Sequence, residues 1–130
     1  MTIAYWCVFV AILLPYTWFG VAASRAGMLR DQHYPRDFPS HLSGLPKRAW
    51  GAHLNSFESL PGFAAAVIIA HMAHGVQPYI DTLAVIWVIA RVAYGILYLT
   101  DKPILRSSVQ FISLACVLGI FLVAARGGIA

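Results

Sequence analysis

Three polar side chains lie at helical spacing in a part of the sequence that becomes increasingly apolar. Arg48, Asn55 and Glu58 are separated by seven and three residues, so they fall on one side of a helix. A guanidinium and an amide donate hydrogen bonds, and a carboxylate accepts them. One face of this helix is therefore suited to holding a polar group.

A second polar group, Arg91, Tyr94 and Tyr98, is spaced three and four residues apart and forms a stripe on a later helix. An arginine within a membrane span costs about 2.5–3.5 kcal/mol on insertion scales, so Arg91 needs a partner inside the protein. Glu58 is the only carboxylate that we expect at a comparable depth. Two interpretations stay open. Glu58 and Arg91 form an ion pair that only fixes helix packing, or several donors, with Arg106 among them, bind an anionic ligand.

The helices that position these residues are expected to span a membrane. Of the 130 residues, 60% are hydrophobic and 11% are charged, whereas a soluble domain carries about 25% charged residues. Apolar segments at 3–23, 47–74, 79–100 and 104–125 follow one another, and about 20 apolar residues suffice to cross a bilayer. We therefore predict an all-α fold, in which residues 1–130 form a single domain: an integral membrane four-helix bundle.

Two of these segments are not simple apolar spans: the second is partly polar, and the first has a signal peptide as its alternative interpretation. Only residues 60–73 of the second segment are evenly apolar, so its polar half must lie at the membrane face or inside the bundle. The first segment ends in a sequence typical of signal-peptide cleavage, Val21-Ala22-Ala23. A signal peptide also needs a basic start, and no basic residue precedes Arg25, so we favour a retained helix.

The basic residues predict how the chain is oriented. Loops that carry more lysine and arginine usually stay in the cytoplasm. We therefore expect the first and third loops to be cytoplasmic and both termini to lie on the opposite side. Seven of the nine basic residues lie in or beside these two loops: Arg25, Arg30, Arg36, Lys47, Arg48, Lys102 and Arg106.

Other ligand classes find little support in the sequence. The net charge of +4 is explained by the loops, so no nucleic-acid partner is expected. Cys7 and Cys116 lie within apolar segments and lack the spacing of metal ligands. His71 and His74 have no third ligand beside them, so no metal site is expected.

Two segments resemble a known family. Residues 48–63, RAWGAHLNSFESLPGF, resemble the second-helix signature of the MAPEG family, the membrane-associated proteins in eicosanoid and glutathione metabolism. Residues 91–99, RVAYGILYL, and residues 103–107, PILRS, resemble the third helix and the start of the fourth. The likeness is greatest to the branch of microsomal glutathione transferases and microsomal prostaglandin E synthases.

The resemblance implies a homotrimer with glutathione sites between neighbouring subunits, open to the cytoplasmic face. Glutathione would be the co-substrate, and no metal is implied. The catalytic residues implied are Arg106, which would stabilise the thiolate, and Ser107 beside it. The glutathione-binding residues implied are Arg25, Arg48, Asn55, Glu58, Arg91, Tyr94 and Tyr98.

The function implied is that of a membrane-bound glutathione-dependent transferase or peroxidase. It would join the thiolate to an apolar electrophile or reduce a lipid hydroperoxide. This second substrate would arrive through the membrane lipid. The alternative is a non-catalytic membrane module of the same fold that binds a lipid, an anionic metabolite or a partner protein. Two departures bear on this choice, because many family members have arginine where this chain has Gly51, and some also where it has Leu54.

Overall fold

The structure is a computed structural model that describes residues 1–27 and 33–127. Within them the chain is helical, which confirms the predicted all-α fold, and the predicted helix ends differ from the observed ones by at most three residues. Arg30, one of the basic loop residues, lies outside the described residues. The α-helices are α1 (Ile3–Ala26), α2 (Gly44–Met72), α3 (Gln77–Leu99) and α4 (Pro103–Gly127), and a short 3-10 helix at Phe38–His41 precedes α2.

Three of the four helices, α1, α3 and α4, are long and apolar enough to cross a membrane. This fits an integral membrane protein. The second helix, α2, has 29 residues and is about 44 Å long at 1.5 Å per residue. Its first half carries Lys47, Arg48 and Glu58, so α2 is long enough to span but too polar to be counted with the other three.

The cluster of buried hydrophobic residues lies in the half of the bundle that is remote from the basic loops. Phe63 on α2 stacks on Trp87 of α3 with 3.8 Å between ring centroids and 2° between ring planes. Ala4, Ala66 and Ala84 are fully buried around this pair. Small residues of this kind allow helix backbones in a membrane to approach closely.

The start of α1 is tied to α3 by a carboxylate. The Ala4 backbone N–H donates to Asp81 Oδ1 at 2.8 Å, and Gln77 Nε2 donates to the same oxygen at 2.8 Å. The first N–H groups of a helix have no partner within the helix, and a negative charge there also complements the helix dipole. Asp81 therefore caps α1 from a neighbouring helix.

A histidine connects α1 and α2 nearer the basic loops. His53 Nδ1 lies 2.8 Å from the carbonyl oxygen of Pro15, so this nitrogen carries the proton and donates. Aromatic rings surround the imidazole, with centroids 4.8 Å away at Trp50, 5.1 Å at Phe57 and 5.4 Å at Phe19. These contacts fix the face of α2 that packs on α1, and so leave Asn55 on the side of α3.

Candidate functional site

Arg91 is the centre of a polar cluster that joins three helices. Its side chain is 1% exposed. Nη1 donates to Gln110 Oε1 of α4 at 2.6 Å, and Nη2 donates to Asn55 Oδ1 of α2. The guanidinium carbon also lies 4.3 Å from the ring centroid of Tyr94. Arg91 therefore fixes the relative positions of α2, α3 and α4 at one level of the bundle.

The partners of Arg91 are neutral, which excludes the ion pair that the sequence left open. Glu58 is exposed on α2 and makes no hydrogen bond or ion pair with Arg91 or any other described residue. Two amide oxygens satisfy donors of the guanidinium without cancelling its charge, and Nε has no hydrogen-bond partner among the described residues. The buried arginine thus keeps an uncompensated positive charge beside Tyr94.

Gln110 is a member of the cluster that the sequence analysis missed. It is the polar residue of α4 that meets Arg91. A signal was available, because Arg91 lies eight residues before the end of α3 and Gln110 lies seven residues after the start of α4. Antiparallel helices joined by a short turn place such positions at the same depth.

Two aromatic rings in contact extend the cluster from Arg91 toward Arg106. The Tyr94 and Tyr98 rings pack edge to face, with centroids 5.9 Å apart. The guanidinium carbon of Arg106 lies 4.2 Å from the Tyr98 ring centroid. Cation–π contact of this kind holds an arginine in place and leaves its N–H groups free to donate. The predicted residues Arg91, Tyr94, Tyr98 and Arg106 are therefore brought together.

A tight turn sets the position of Arg106 relative to Tyr98. Asp101 adopts a left-handed conformation with φ of 57°, and the Lys102 N–H donates to the Leu97 carbonyl at 3.0 Å. This pattern ends α3, and the chain re-enters a helix at Pro103, whose fixed φ suits a first helical position. Arg106 then lies one turn into α4, opposite the last turn of α3.

Tyr98 also contacts α2 at a position without a side chain. A β-carbon built at Gly51 would overlap the Tyr98 hydroxyl and would lie 2.5 Å from Cζ of the same ring. The tyrosine ring therefore occupies the space that a larger residue at position 51 would need. Position 51 therefore holds glycine and not arginine, and the Tyr98 ring fills the space beside it.

Two of the predicted residues make contacts that support the fold. Arg48 Nε donates to the Leu99 carbonyl at 2.9 Å, which satisfies one of the free carbonyls at the end of α3. Ser107 is exposed, and its hydroxyl donates to the Pro103 carbonyl at 3.0 Å within α4. Both side chains lie at the end of the bundle that carries the α3–α4 turn.

Arg25 lies apart from this cluster. It is exposed in the last turn of α1 and lines a cleft of about 390 Å³ together with Tyr34, Asp37 and His41. None of the other predicted site residues lines this cleft. Within one chain, therefore, the structure does not bring Arg25 to the Arg91–Arg106 cluster.

The cluster places positive charge close to a surface of the single chain, where Arg106 is half-buried and Arg91 is 1% exposed. Arg91 and Arg106 contribute two guanidiniums that no described carboxylate neutralises. Asn55 is half-buried and uses its oxygen for Arg91, which leaves its Nδ2 group to donate elsewhere. Such an arrangement can bind an anion and can stabilise a negative charge on a reacting atom.

The comparisons with known proteins agree with the layout of the helices. No curated protein and no solved structure matches the chain significantly. The family model described as the MAPEG family matches residues 3–126, which include α1, α2, α3, all of α4 but its last residue, and the whole polar cluster. This chain therefore belongs to the MAPEG family.

Proposed function

We propose that the chain is a membrane-bound glutathione-dependent transferase or peroxidase of the microsomal glutathione transferase and prostaglandin E synthase branch. The observation that carries this proposal is the cluster of two guanidiniums without carboxylate partners, buried Arg91 and half-buried Arg106. Their positive charge favours a bound anion at the end of the bundle that holds the α3–α4 turn. A thiolate with its peptide carboxylates is such an anion.

In the proposed reaction, Arg106 stabilises the thiolate form of glutathione. A guanidinium next to a thiol lowers the pKa of that thiol, and the thiolate is the reactive nucleophile. The thiol proton passes to solvent. The sulfur then bonds to a carbon of an apolar electrophile, and a leaving group such as chloride departs with the bonding electron pair.

A hydroperoxide would react at the same place. The thiolate sulfur attacks the terminal oxygen of the hydroperoxide, the O–O bond breaks, and the alcohol leaves after taking a proton. A second glutathione reduces the sulfenic acid formed on the first, giving the disulfide and water. The protein contributes positioning and electrostatic stabilisation to both reactions.

A neighbouring subunit would complete the site. Glu58, Leu54 and Ser107 are exposed in the single chain, so one chain does not shield this surface from its surroundings. In a homotrimer, another copy of the chain would cover it and could bring its own Arg25 or apolar residues to the ligand. We further propose that this end of the bundle faces the cytoplasm, as the basic loops predict.

A test of activity uses protein purified in detergent. We expect glutathione-dependent conjugation of a chlorinated aromatic compound, or reduction of a lipid hydroperoxide, and the loss of either activity in Arg106→Ala. Lys102→Ala is the matched control, because Lys102 is exposed one turn earlier and its side chain makes no hydrogen bond or ion pair with the described residues. Absence of turnover with both substrate types, together with absence of glutathione binding, would refute the proposal.

A second function, that of a non-catalytic module, is favoured by the structural contacts of the predicted residues. Arg91 links three helices and Arg48 caps α3, so both have a role without any ligand. Such a module would bind a lipid, an anionic metabolite or a partner protein at the same cluster. The experiment is to identify any ligand that co-purifies with the chain. A ligand that is not a thiol, and that Arg106→Ala retains equally well, would support this function.

A further inference from the structure

A groove between α3 and α4 lies at the end of the bundle that is remote from the Arg91–Arg106 cluster. Its volume is about 440 Å³, within the range of about 300–1,000 Å³ that is typical of ligand sites. The walls are largely apolar and include Leu83 of α3 and Leu122 and Val123 of α4. Leu122 is 61% exposed, so the groove is open along the side of the bundle. An apolar chain can therefore enter it from the surrounding lipid.

The length of the groove matches one leaflet of a bilayer. It runs along α4 from Gly119 to Arg126, which is about 10 Å at 1.5 Å per residue. Half of the hydrocarbon core of a bilayer is about 15 Å thick. An acyl chain of the leaflet on this side of the membrane can therefore lie along most of the groove.

Two polar groups lie at the outer end of the groove. Arg126 is in the last turn of α4 and Tyr79 is in the first turn of α3, so the antiparallel helices place them at the same depth. Both side chains are exposed, and neither makes a hydrogen bond or ion pair with the described residues. No carboxylate of the described residues lines the groove. Its outer end therefore combines an uncompensated positive charge with a free hydroxyl.

A second copy of the chain would not complement this charge. A copy inserted in the same orientation would present the same end at the same depth. The only carboxylate that the described residues place at this end is Asp81, and it already accepts hydrogen bonds from the Ala4 N–H and from Gln77. Asp37 and Asp101 lie at the opposite end of the bundle. The anion that pairs with Arg126 must therefore come from outside the described protein.

We propose that this groove binds one phospholipid with an anionic headgroup. One acyl chain lies along Leu83, Gly119 and Leu122, and the phosphate lies at Arg126 and the Tyr79 hydroxyl. A guanidinium can donate two parallel hydrogen bonds to a phosphate, and tyrosine favours the depth of the headgroups. A zwitterionic headgroup brings its own cation close to Arg126, so a lipid with net negative charge binds better. This site is separate from the proposed thiol site and does not depend on the reaction there.

Native mass spectrometry of the full chain, purified in detergent, tests the headgroup contact. The protein is mixed with equal amounts of phosphatidylglycerol and phosphatidylcholine that carry the same acyl chains. We expect the original chain to retain phosphatidylglycerol about fivefold better, the effect of one basic residue near an anionic lipid. Arg126→Gln should retain both lipids equally, whereas Arg126→Lys should keep the preference because it keeps the charge. A lack of preference in the original chain, or an unchanged preference in Arg126→Gln, would overturn the proposal.

A variant that fills the groove tests the position of the acyl chain. Leu122→Trp enlarges a side chain of the groove wall and should lower the retained phosphatidylglycerol by about fivefold or more. Leu114→Trp is the matched control, because Leu114 is exposed two turns earlier on α4 and lies outside the groove. An equal result for both variants would overturn the proposal. A smaller oligomeric mass in Leu122→Trp alone would also overturn it, because the groove would then be a contact between copies of the chain.

Discussion

The ring of Tyr98 on α3 packs against the backbone of Gly51 on α2, and its hydroxyl fills the position that a β-carbon at residue 51 would take. The same ring supports the guanidinium of Arg106 on its face. Tyr98 thereby links the wall of the site on α2 to the start of α4. A glycine in the middle of a helix normally weakens it, so its presence here has a packing reason.

Gly51→Ala should destabilise the protein because the new methyl group displaces the Tyr98 ring. Overpacking of this kind costs about 1–3 kcal/mol. Gly62→Ala is the matched control in the same helix, where a β-carbon meets nothing within 4 Å. It should be neutral or stabilise the helix by up to about 1 kcal/mol. Thermal unfolding in detergent measures both.

A double-mutant cycle identifies Tyr98 as the cause. In a Tyr98→Ala background the space above residue 51 is empty, so the cost of Gly51→Ala should disappear. The coupling free energy should be about 1 kcal/mol or more. If Gly51→Ala is as well tolerated as Gly62→Ala in the original chain, the contact between Tyr98 and Gly51 is not formed.

Gln110→Met should destabilise the bundle while nearly conserving side-chain volume. The substitution removes the amide oxygen that accepts from Arg91 Nη1. A buried donor left without a partner costs about 1–3 kcal/mol. Ser108→Ala serves as the control on α4, because Ser108 is exposed and bonds only to the Ile104 carbonyl; it should change the unfolding free energy by less than about 0.5 kcal/mol.

The ion-pair interpretation gives the opposite expectation for Gln110. If Arg91 were held by Glu58, Gln110→Met would be nearly neutral and Glu58→Gln would be costly. Because Glu58 is exposed and has no bonded partner among the described residues, we expect Glu58→Gln to leave the unfolding temperature almost unchanged. Comparison of these two variants by thermal unfolding distinguishes the two arrangements.

Asp81→Ala should loosen the start of α1. The variant loses the oxygen that accepts from the Ala4 N–H and from Gln77 Nε2. Loss of a helix cap costs about 0.5–2 kcal/mol. Asp81→Asn keeps an acceptor oxygen and should lose less, since only the interaction of the charge with the helix dipole is removed. Faster hydrogen exchange at residues 4–7 in Asp81→Ala would support the cap, and equal exchange in all three proteins would refute it.

The sequence predicted the helices well because their signals are local. Apolar segments and the polar residues between them placed every helix end within three residues of its observed position. The stripe Arg91, Tyr94 and Tyr98 was also predictable, since residues three and four apart share a helix face whatever surrounds them. Arg106 joined this stripe through the short turn after α3.

The partners across helices could not be predicted in the same way. The residue that contacts Arg91 is determined by how α2 and α4 are rotated about their axes. Apolar residues face both lipid and protein, so an apolar segment does not define that rotation. The carboxylate of Glu58 was the obvious choice by charge, but two amides, Asn55 and Gln110, take its place. The contact between Gly51 and Tyr98 depends on side-chain shape and was likewise not visible in the sequence.

We propose that Arg106 stabilises a thiolate at this cluster, and the ultraviolet absorbance of the thiolate on adding glutathione at neutral pH measures that stabilisation. We expect a thiolate band with the original chain and with Lys102→Ala. With Arg106→Ala we expect the band to fall by about tenfold or more, since a tenfold change in the thiol ionisation constant corresponds to one pKa unit. An undiminished band in Arg106→Ala would mean that Arg106 does not stabilise the thiolate.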